Sequence, residues 1–212
     1  ADAAVWRRVS PLQGASVLPL TLARTPNGDL HVGYIHQNTV TDNDVWDARV
    51  RPSGAVAQLP IARHWYGVSS AVALTNVGST VVAWFGGHAL QNDVAGTQVA
   101  TAPAGTFGAP TLVHQTAGDF ADTADNGSAG TAEDGTPWYV YHATGQLRVQ
   151  RGTTPGGATY NLEPASYQSY DGALGFDGGT NAVWLVSWGL GNGSTGNDRA
   201  IFAQSLAPTT GA

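Results

Sequence analysis

The chain has 212 residues, 9 Lys plus Arg, 15 Asp plus Glu, a net charge of −6 and no Cys. Charged residues make up only 11% of the chain and hydrophobic residues 42%, which excludes a charge-rich disordered protein. The lack of Cys removes disulfides and thiol chemistry, and no apolar run approaches the roughly 20 residues that a membrane span needs.

Short alternating segments along the whole chain predict an all-β fold. Each is four to six residues long, which is a normal strand length. The 28 Gly and 11 Pro are spread along the chain, and no apolar period of 3.6 residues is long enough for a helix. In chain order the segments include 21–24, 30–34, 71–74, 80–84 and 183–188.

A strand, a glycine turn and an aromatic strand recur along the sequence. In each copy an aromatic residue follows the turn glycine after six positions, and the first two copies are 50 residues apart. A polar loop and an outer strand follow each aromatic strand, and we expect a short strand to lead each copy, at 17–20, 65–69, 119–123 and 167–170. The glycine and aromatic pairs are Gly28–Tyr34, Gly78–Trp84, Gly135–Tyr141 and Gly178–Trp184.

Units of four strands and about 45 to 55 residues are typical of propeller blades. We therefore predict a β-propeller of four-stranded antiparallel blades, with about four blades in a single domain over 1–212. The blades are placed at 17–63, 64–116, 117–164 and 165–208. Residues 1–16 hold an extra outer strand, Val5–Val9. Three explanations of this extra strand stay open. The blade count is off by part of a blade, the chain belongs to a larger propeller, or the chain completes a propeller with a partner such as a second copy of itself.

One blade resembles those of secreted sugar-binding propellers. Residues 67–78 combine a small-residue strand with a glycine turn, 81–84 form a hydrophobic strand, and 97–99 with 103–105 supply a further strand and a Pro-Gly loop. This order is similar to PLL-like and fucose-lectin blades. The resemblance implies a secreted, bacterial, lectin-like protein, although those lectins usually have more than four blades. The start at Ala1 among small residues is also similar to a cleaved signal peptide.

A second resemblance is to sialidase-type repeats. It rests on the segment Glu133–Trp138. That motif normally has Ser or Thr, then Asp, Gly, Thr and Trp at fixed steps. This copy has an inserted proline and stands alone, so we give it less weight.

Aromatic side chains at the crossings between blades are the candidate sugar site. A sugar ring has an apolar C–H face that stacks on Trp or Tyr and a polar edge that needs hydrogen-bonding groups. Segments 64–66 and 167–171 occupy equivalent crossings, where loops often carry function. The alternative is that these aromatics fill the wedge between blades. The predicted ligand-binding set is His64, Trp65, Tyr66, His88, Tyr167, Tyr170 and Asp171.

Metal binding has weaker support in the sequence. Asp42, Asp44 and Asp47 precede or begin an outer strand and could contribute to a calcium site. Calcium needs more converging oxygen ligands than these three residues offer, so we expect no cofactor. His36, His88 and His142 occupy equivalent places, but radial repetition would spread them around the ring, away from any common metal ion.

The sequence thus favours a secreted carbohydrate-binding propeller whose partner is a glycan or another small polar ligand, with no catalytic residue assigned. A glycoside hydrolase or polysaccharide lyase on the same scaffold stays open, although Glu133 and Glu163 fall in turns. A non-catalytic adhesion or scaffold module is the third possibility. Nucleic acid is disfavoured as a partner, because the only tight basic pairs are at 7–8 and 49–51.

Overall fold

A computed structural model describes residues 8–10, 20–39, 41–66, 72–89, 94–103, 105–115, 125–143, 146–154, 159–161, 167–178, 180, 182–191 and 199–206. Within these ranges the regular secondary structure is entirely β, so the predicted fold class is confirmed. None of the described residues forms a helix that is long and apolar enough to cross a membrane.

The strands of the described residues follow one another in antiparallel hairpins. They are β1 (Thr21–Arg24), β2 (Leu30–Gln37), β3 (Asn43–Val50), β4 (Val56–Tyr66), β5 (Val72–Val77), β6 (Thr80–Ala89), β7 (Val94–Ala102), β8 (Thr111–Gln115), β9 (Asp125–Thr131), β10 (Pro137–Ala143), β11 (Gln146–Arg151), β12 (Thr159–Asn161), β13 (Tyr167–Asp177), β14 (Ala182–Gly191) and β15 (Arg199–Leu206).

These strands form four blades, and the predicted four-bladed β-propeller is confirmed. Strands β1–β4 make blade 1, β5–β8 blade 2, β9–β12 blade 3 and β13–β15 blade 4. The end of β4 also pairs with the end of β6, which joins blades 1 and 2 into one eight-stranded sheet.

Blade 1 has an outermost strand, β4, that the sequence analysis did not predict. No strand was expected over 51–63, whereas β4 covers Val56–Tyr66. Residues 65–66, predicted to open blade 2, are instead the last residues of β4. Blade 1 therefore extends past the predicted boundary at 63. The other predicted leading strands at 17–19, 67–69 and 119–123 lie outside the described residues.

The glycine turns explain the recurrence in the sequence. Gly28, Gly78 and Gly135 have φ angles of 88°, 57° and 84°, a left-handed conformation that favours glycine. In the first turn the N–H of Gly28 donates to the carbonyl oxygen of Thr25 at 2.9 Å. Each turn reverses the chain into the aromatic strand of its blade.

Apolar side chains fill three interfaces between successive blades. We call the side of a blade that points to the next blade its forward face, and the other its backward face. Between blades 2 and 3, Trp84 stacks on Tyr139 with ring centroids 5.6 Å apart. Burial of such an aromatic side chain contributes about 1.5 to 3 kcal/mol. The other two interfaces contain Ile35, Val45, Leu74 and Phe85 (blades 1 and 2), and Trp138, Val140, Val183 and Leu185 (blades 3 and 4).

The predicted strand at Val5–Val9 is only partly described, because residues 1–7 lie outside the described ranges. Residues 8–10 are not in a strand. Val9 packs on the backward face of blade 1, beside Val32 and Tyr34, and its carbonyl oxygen accepts a hydrogen bond from the side chain of Gln58. How the rest of the predicted strand pairs stays a prediction, because its residues 5–7 are outside the described ranges.

Candidate functional site

One rim of the propeller gathers several of the residues that the sequence analysis selected. In a blade of antiparallel strands, the end of β2, the start of β3 and the end of β4 lie at the same rim. Asp42 directly precedes β3, and His64 to Tyr66 end β4. There Trp65 pairs with Ala89, and Tyr66 pairs with His88. The backbones of the predicted set at 64–66 and of His88 are therefore neighbours.

Two carboxylates and an imidazole meet at this rim. Asp42, Asp44 and His64 each offer a ligand atom, and these atoms lie within 4.8 Å of one another. Nδ1 of His64 is 3.2 Å from Oδ2 of Asp42, while the backbone N–H of His64 donates to Oδ1 of Asp44 at 3.0 Å. Oδ1 of Asp42 is buried and has no hydrogen-bond partner among the described residues. We call this group the rim cluster.

A β-bulge explains why these side chains converge. Asn43 pairs with Trp65 and Val45 with Ala62, so Asp44 on β3 faces two residues of β4. The bulge gives His64 a φ of 60°, a conformation that costs a residue other than glycine about 1 to 3 kcal/mol. It also turns the N–H of His64 towards the Asp44 carboxylate. Bulges of this kind are frequent next to functional sites because they redirect side chains.

The hairpin turn before β3 fixes the other side of the rim cluster. The N–H groups of Asn38 and Thr39 both donate to the carbonyl oxygen of Asp42, at 2.8 and 3.0 Å. Turn and bulge together hold Asp42 in place across from His64. The site is therefore built from backbone geometry on both strands at one end of the β3–β4 pair.

Solvent exposure divides the rim cluster into accessible and supporting groups. The side chain of His64 is 53% exposed and that of Asp42 is 23% exposed, whereas Asp44 is buried. A ligand can therefore reach His64 and Asp42, while Asp44 positions the backbone of His64. Carboxylates accept hydrogen bonds from hydroxyl groups. One imidazole nitrogen with two carboxylates also suits a zinc-like cation better than calcium, which prefers oxygen ligands alone.

Asp47 lies apart from Asp42 and Asp44, with which the sequence analysis grouped it as a candidate calcium set. Side chains alternate along a strand, so Asp47 lies on the opposite face of β3 from Asp44. Its Oδ2 is 2.6 Å from Nδ1 of His31, and both side chains are almost completely buried. This pair lies on the face of blade 1 that packs against blade 2. It is therefore part of the protein interior and is not accessible to ligands.

Trp65 is buried, contrary to the expectation of an exposed platform for a sugar. The residue is 6% exposed and belongs to the apolar cluster between blades 1 and 2. Its ring meets Phe85 edge-on, with centroids 5.1 Å apart and an interplanar angle of 88°. Neither ring face is free for stacking, so Trp65 takes the alternative role of a wedge between blades.

The second predicted group, on blade 4, is separate from the rim cluster. Tyr167 pairs with Gly191 and Asp171 with Trp188, with an irregular register at Tyr170 between them. Strand β13 pairs only with β14 among the described strands, so no ladder connects this group to blade 1. For Tyr66, His88, Tyr167, Tyr170 and Asp171 the structure describes the backbone alone, and their roles stay predictions.

The sequence analysis assigned Asp42 and Asp44 to one candidate site and His64 to another. The structure joins them, because β3 and β4 are neighbours in blade 1. The sequence signal for this contact is the strand Val56–Tyr66, which the sequence analysis did not predict. A prediction of that strand beside β3 would have placed His64 opposite the residues around Asn43.

Comparison with solved structures identifies proteins of similar fold. A protein of unknown function from Dyadobacter fermentans superposes with a TM-score of 0.62 at 12% identity, over 92% of this chain and 67% of its own. The α-L-arabinofuranosidase of Fusarium graminearum gives 0.55 at 8% identity, over 92% and 78%. A Hadza microbial sialidase gives 0.57 at 13% identity, over 87% and 43%. No protein-family model and no curated protein matches the sequence.

Identities this low establish a shared fold and nothing finer. Two of the three structures are glycoside hydrolases, and the function of the third is unknown. The propeller fold that the sequence resemblance implied is thus supported, whereas its lectin part stays a prediction.

Proposed function

We propose that this protein is a carbohydrate-active β-propeller that binds a sugar at the rim cluster. The observation that carries the proposal is the convergence of Asp42, Asp44 and His64 at the rim, with ligand atoms within 4.8 Å of one another and with the side chains of His64 and Asp42 53% and 23% exposed. A carboxylate and an imidazole that are both open to solvent can form hydrogen bonds with the hydroxyl groups of a ligand. Similarity in fold to an arabinofuranosidase and a sialidase supports a sugar as that ligand.

The roles within the rim cluster follow from exposure. Asp42 would accept hydrogen bonds from one or two sugar hydroxyls, and bonds to a charged acceptor are about twice as strong as neutral ones. The half-exposed imidazole of His64 would exchange a further hydrogen bond with the sugar. Asp44 would not touch the ligand, because it is buried and already accepts the backbone N–H of His64.

Glycoside hydrolysis is the second candidate, and the similarity to two propeller hydrolases favours it. Such enzymes use two carboxyl groups about 5 to 9.5 Å apart that both reach the substrate. The side chain of Asp42 is partly exposed and can reach a substrate, but the side chain of Asp44 is buried and cannot. Hydrolysis would therefore need a second carboxylate from another blade, whereas sugar binding needs only the groups already gathered.

Binding and hydrolysis can be measured together on the same preparations. We test wild type, Asp42→Asn and the control Asp177→Asn by glycan array and by release of reducing sugar from arabinan and sialyllactose. Asp177 is an exposed residue at the end of β13, at the opposite end of that strand from Tyr167. We expect wild type and the control to bind alike, and Asp42→Asn to bind at least tenfold more weakly, which corresponds to about 1.4 kcal/mol.

The outcomes separate the two candidates. Binding without release supports a sugar-binding protein, while release that is lost in Asp42→Asn supports a hydrolase. Equal binding by wild type and Asp42→Asn would contradict the placement of the site. An absence of both binding and release across the array would contradict a carbohydrate function.

A further inference from the structure

An arginine and a tryptophan lie next to the rim cluster and in contact with each other. The guanidinium carbon of Arg63 is 4.9 Å from the centre of the Trp46 ring. Trp46 follows Asp44 by two positions on β3, whose pairing with β2 is regular. Because alternate residues of a strand point to the same side, Trp46 and Asp44 share one side of blade 1. The Arg63–Trp46 pair therefore lies on the same side of the blade as Asp44.

The β-bulge that orients His64 also places Arg63. Both residues lie opposite Asp44, because β4 has an extra residue at this point. They then reach different neighbours. The backbone N–H of His64 donates to the Asp44 carboxylate, whereas the guanidinium of Arg63 lies over the ring of Trp46, which is itself partly buried against the core of blade 1. A cation over an aromatic face is attracted to it, so Trp46 restricts where the long Arg63 side chain points.

The hydrogen-bonding capacity of Arg63 is not used by the described part of the chain. The residue is exposed, and within the described ranges its guanidinium takes part in the ring contact but in no ion pair or side-chain hydrogen bond. The contact with Trp46 engages the positive charge and leaves the N–H groups of the guanidinium for other partners. Arg63 thus presents several donors to a ligand at the rim.

Acceptor and donor groups therefore lie close together at this rim. The carboxylate of Asp42 is partly exposed and accepts hydrogen bonds, while the guanidinium of Arg63 donates them. A sugar hydroxyl both donates and accepts. Two adjacent hydroxyls on one ring can donate to Asp42 and accept from Arg63 at the same time, an arrangement that either side chain alone does not provide.

The charges favour a neutral sugar over an acidic one. Asp42 and Asp44 bring two carboxylates to the rim, and Arg63 is the one permanent cation among the residues named here. A sugar carboxylate would be attracted by Arg63 but repelled by the two aspartates, and the whole chain has a net charge of −6. A hydroxyl group meets no such repulsion.

We propose that Arg63 is a specificity-determining residue of the rim cluster, and that the ligand is a neutral sugar with two adjacent free hydroxyl groups. This inference rests on the proposed function, because it names the ligand class of the same site. One hydroxyl donates to Asp42 and its neighbour accepts from Arg63. Trp46 is a positioning residue that acts through Arg63.

The test compares neutral glycans with their sialylated and uronic-acid counterparts on one array. Titration calorimetry then follows with the neutral glycan that wild type binds most tightly. The variants are Arg63→Gln, Arg63→Lys and Arg51→Gln. The last is the matched control, because Arg51 is also exposed and loses the same charge, but it follows the other end of β3.

We expect wild type to bind neutral glycans more tightly than their acidic counterparts. Arg63→Gln should weaken binding of the neutral glycan by about tenfold, as for the loss of a hydrogen bond from a charged donor. Arg63→Lys should also bind more weakly than wild type, since it keeps the charge without the planar guanidinium. Arg51→Gln should bind like wild type.

The role of Trp46 is tested in two backgrounds. Trp46→Leu should weaken binding, and Trp46→Phe, which keeps a ring beneath Arg63, should restore most of the affinity. In Arg63→Gln, the change Trp46→Leu should have no further effect on affinity, because the two residues act as a unit. Circular dichroism confirms that each variant is folded. Additive losses in the double variant would contradict the positioning role.

The outcomes distinguish this inference from the proposed function. If Arg63→Gln binds as tightly as wild type while Asp42→Asn binds more weakly, the role of Arg63 is overturned and the rim cluster stands. If wild type binds acidic glycans more tightly than their neutral counterparts, the ligand class is overturned. Wild type that binds no glycan on the array would overturn the proposed function and this inference together.

Discussion

Replacement of Trp65 separates a packing role from a sugar-binding role. Trp65 is 6% exposed and meets Phe85 edge-on, so Trp65→Ala leaves a cavity between blades 1 and 2. Truncation of a buried aromatic residue to alanine costs about 3 to 5 kcal/mol. In a chain of this size each kcal/mol shifts the melting temperature by about 2 to 4 °C. We therefore expect a fall of about 6 to 20 °C.

The assay is urea or thermal unfolding of wild type, Trp65→Ala and Trp65→Phe, together with sugar affinity of the folded proteins. Trp65→Phe retains a ring beside Phe85, so its loss of stability should be less than half that of Trp65→Ala. Affinity of folded Trp65→Ala should stay within tenfold of wild type. A variant that melts like wild type but binds sugar more than tenfold more weakly would refute the packing role and restore Trp65 as a stacking platform.

Two further substitutions probe the packing between blades and the dependence on pH. A Cβ atom at Gly130 would lie 1.9 Å from Phe176, so Gly130→Ala should destabilise the protein by about 1 to 3 kcal/mol in urea unfolding. Gly178→Ala, where nothing lies within 4 Å of the new carbon, should be nearly neutral, and equal losses would contradict this. Burial, and then the charge of Asp47, raise the pKa of Tyr34 to about 12. Because the folded pKa exceeds the unfolded value, the stabilisation is complete below pH 10 and is lost as pH rises to 12. Wild type should lose up to about 3 kcal/mol more than Tyr34→Phe over that interval, and parallel stability curves would contradict it.

The fold could be predicted because its repeat depends on backbone conformation. Gly28, Gly78 and Gly135 stand where the turn needs a positive φ, a requirement that few other residues meet. The aromatic residue six positions later then falls on the strand that faces a neighbouring blade. A sequence pattern with such a direct cause predicts the fold even though no family model matches the sequence.

The rim cluster could not be predicted, because it depends on a strand that the pattern concealed. Pro60 interrupts the alternation of β4, and a proline within a run argues against a central strand, although an edge strand accepts it. Without β4, the boundary between blades fell just before His64. The contact between His64 and Asp42 spans 22 residues and depends on a bulge in the β3–β4 register, which hydrophobic periodicity does not encode.

Trp84 and Trp184 show what a repeat leaves undetermined. Both follow a turn glycine by six residues and both lie on the forward face of a blade, yet one is 0% exposed and the other 44%. The difference comes from what packs on each ring, because Tyr139 of blade 3 stacks on Trp84 with ring centroids 5.6 Å apart. The repeat does not specify the face either, since Tyr141 occupies the same place in blade 3 and packs towards blade 2. A repeated sequence thus predicts which strand carries the aromatic residue, while the packing between blades decides whether that residue is buried.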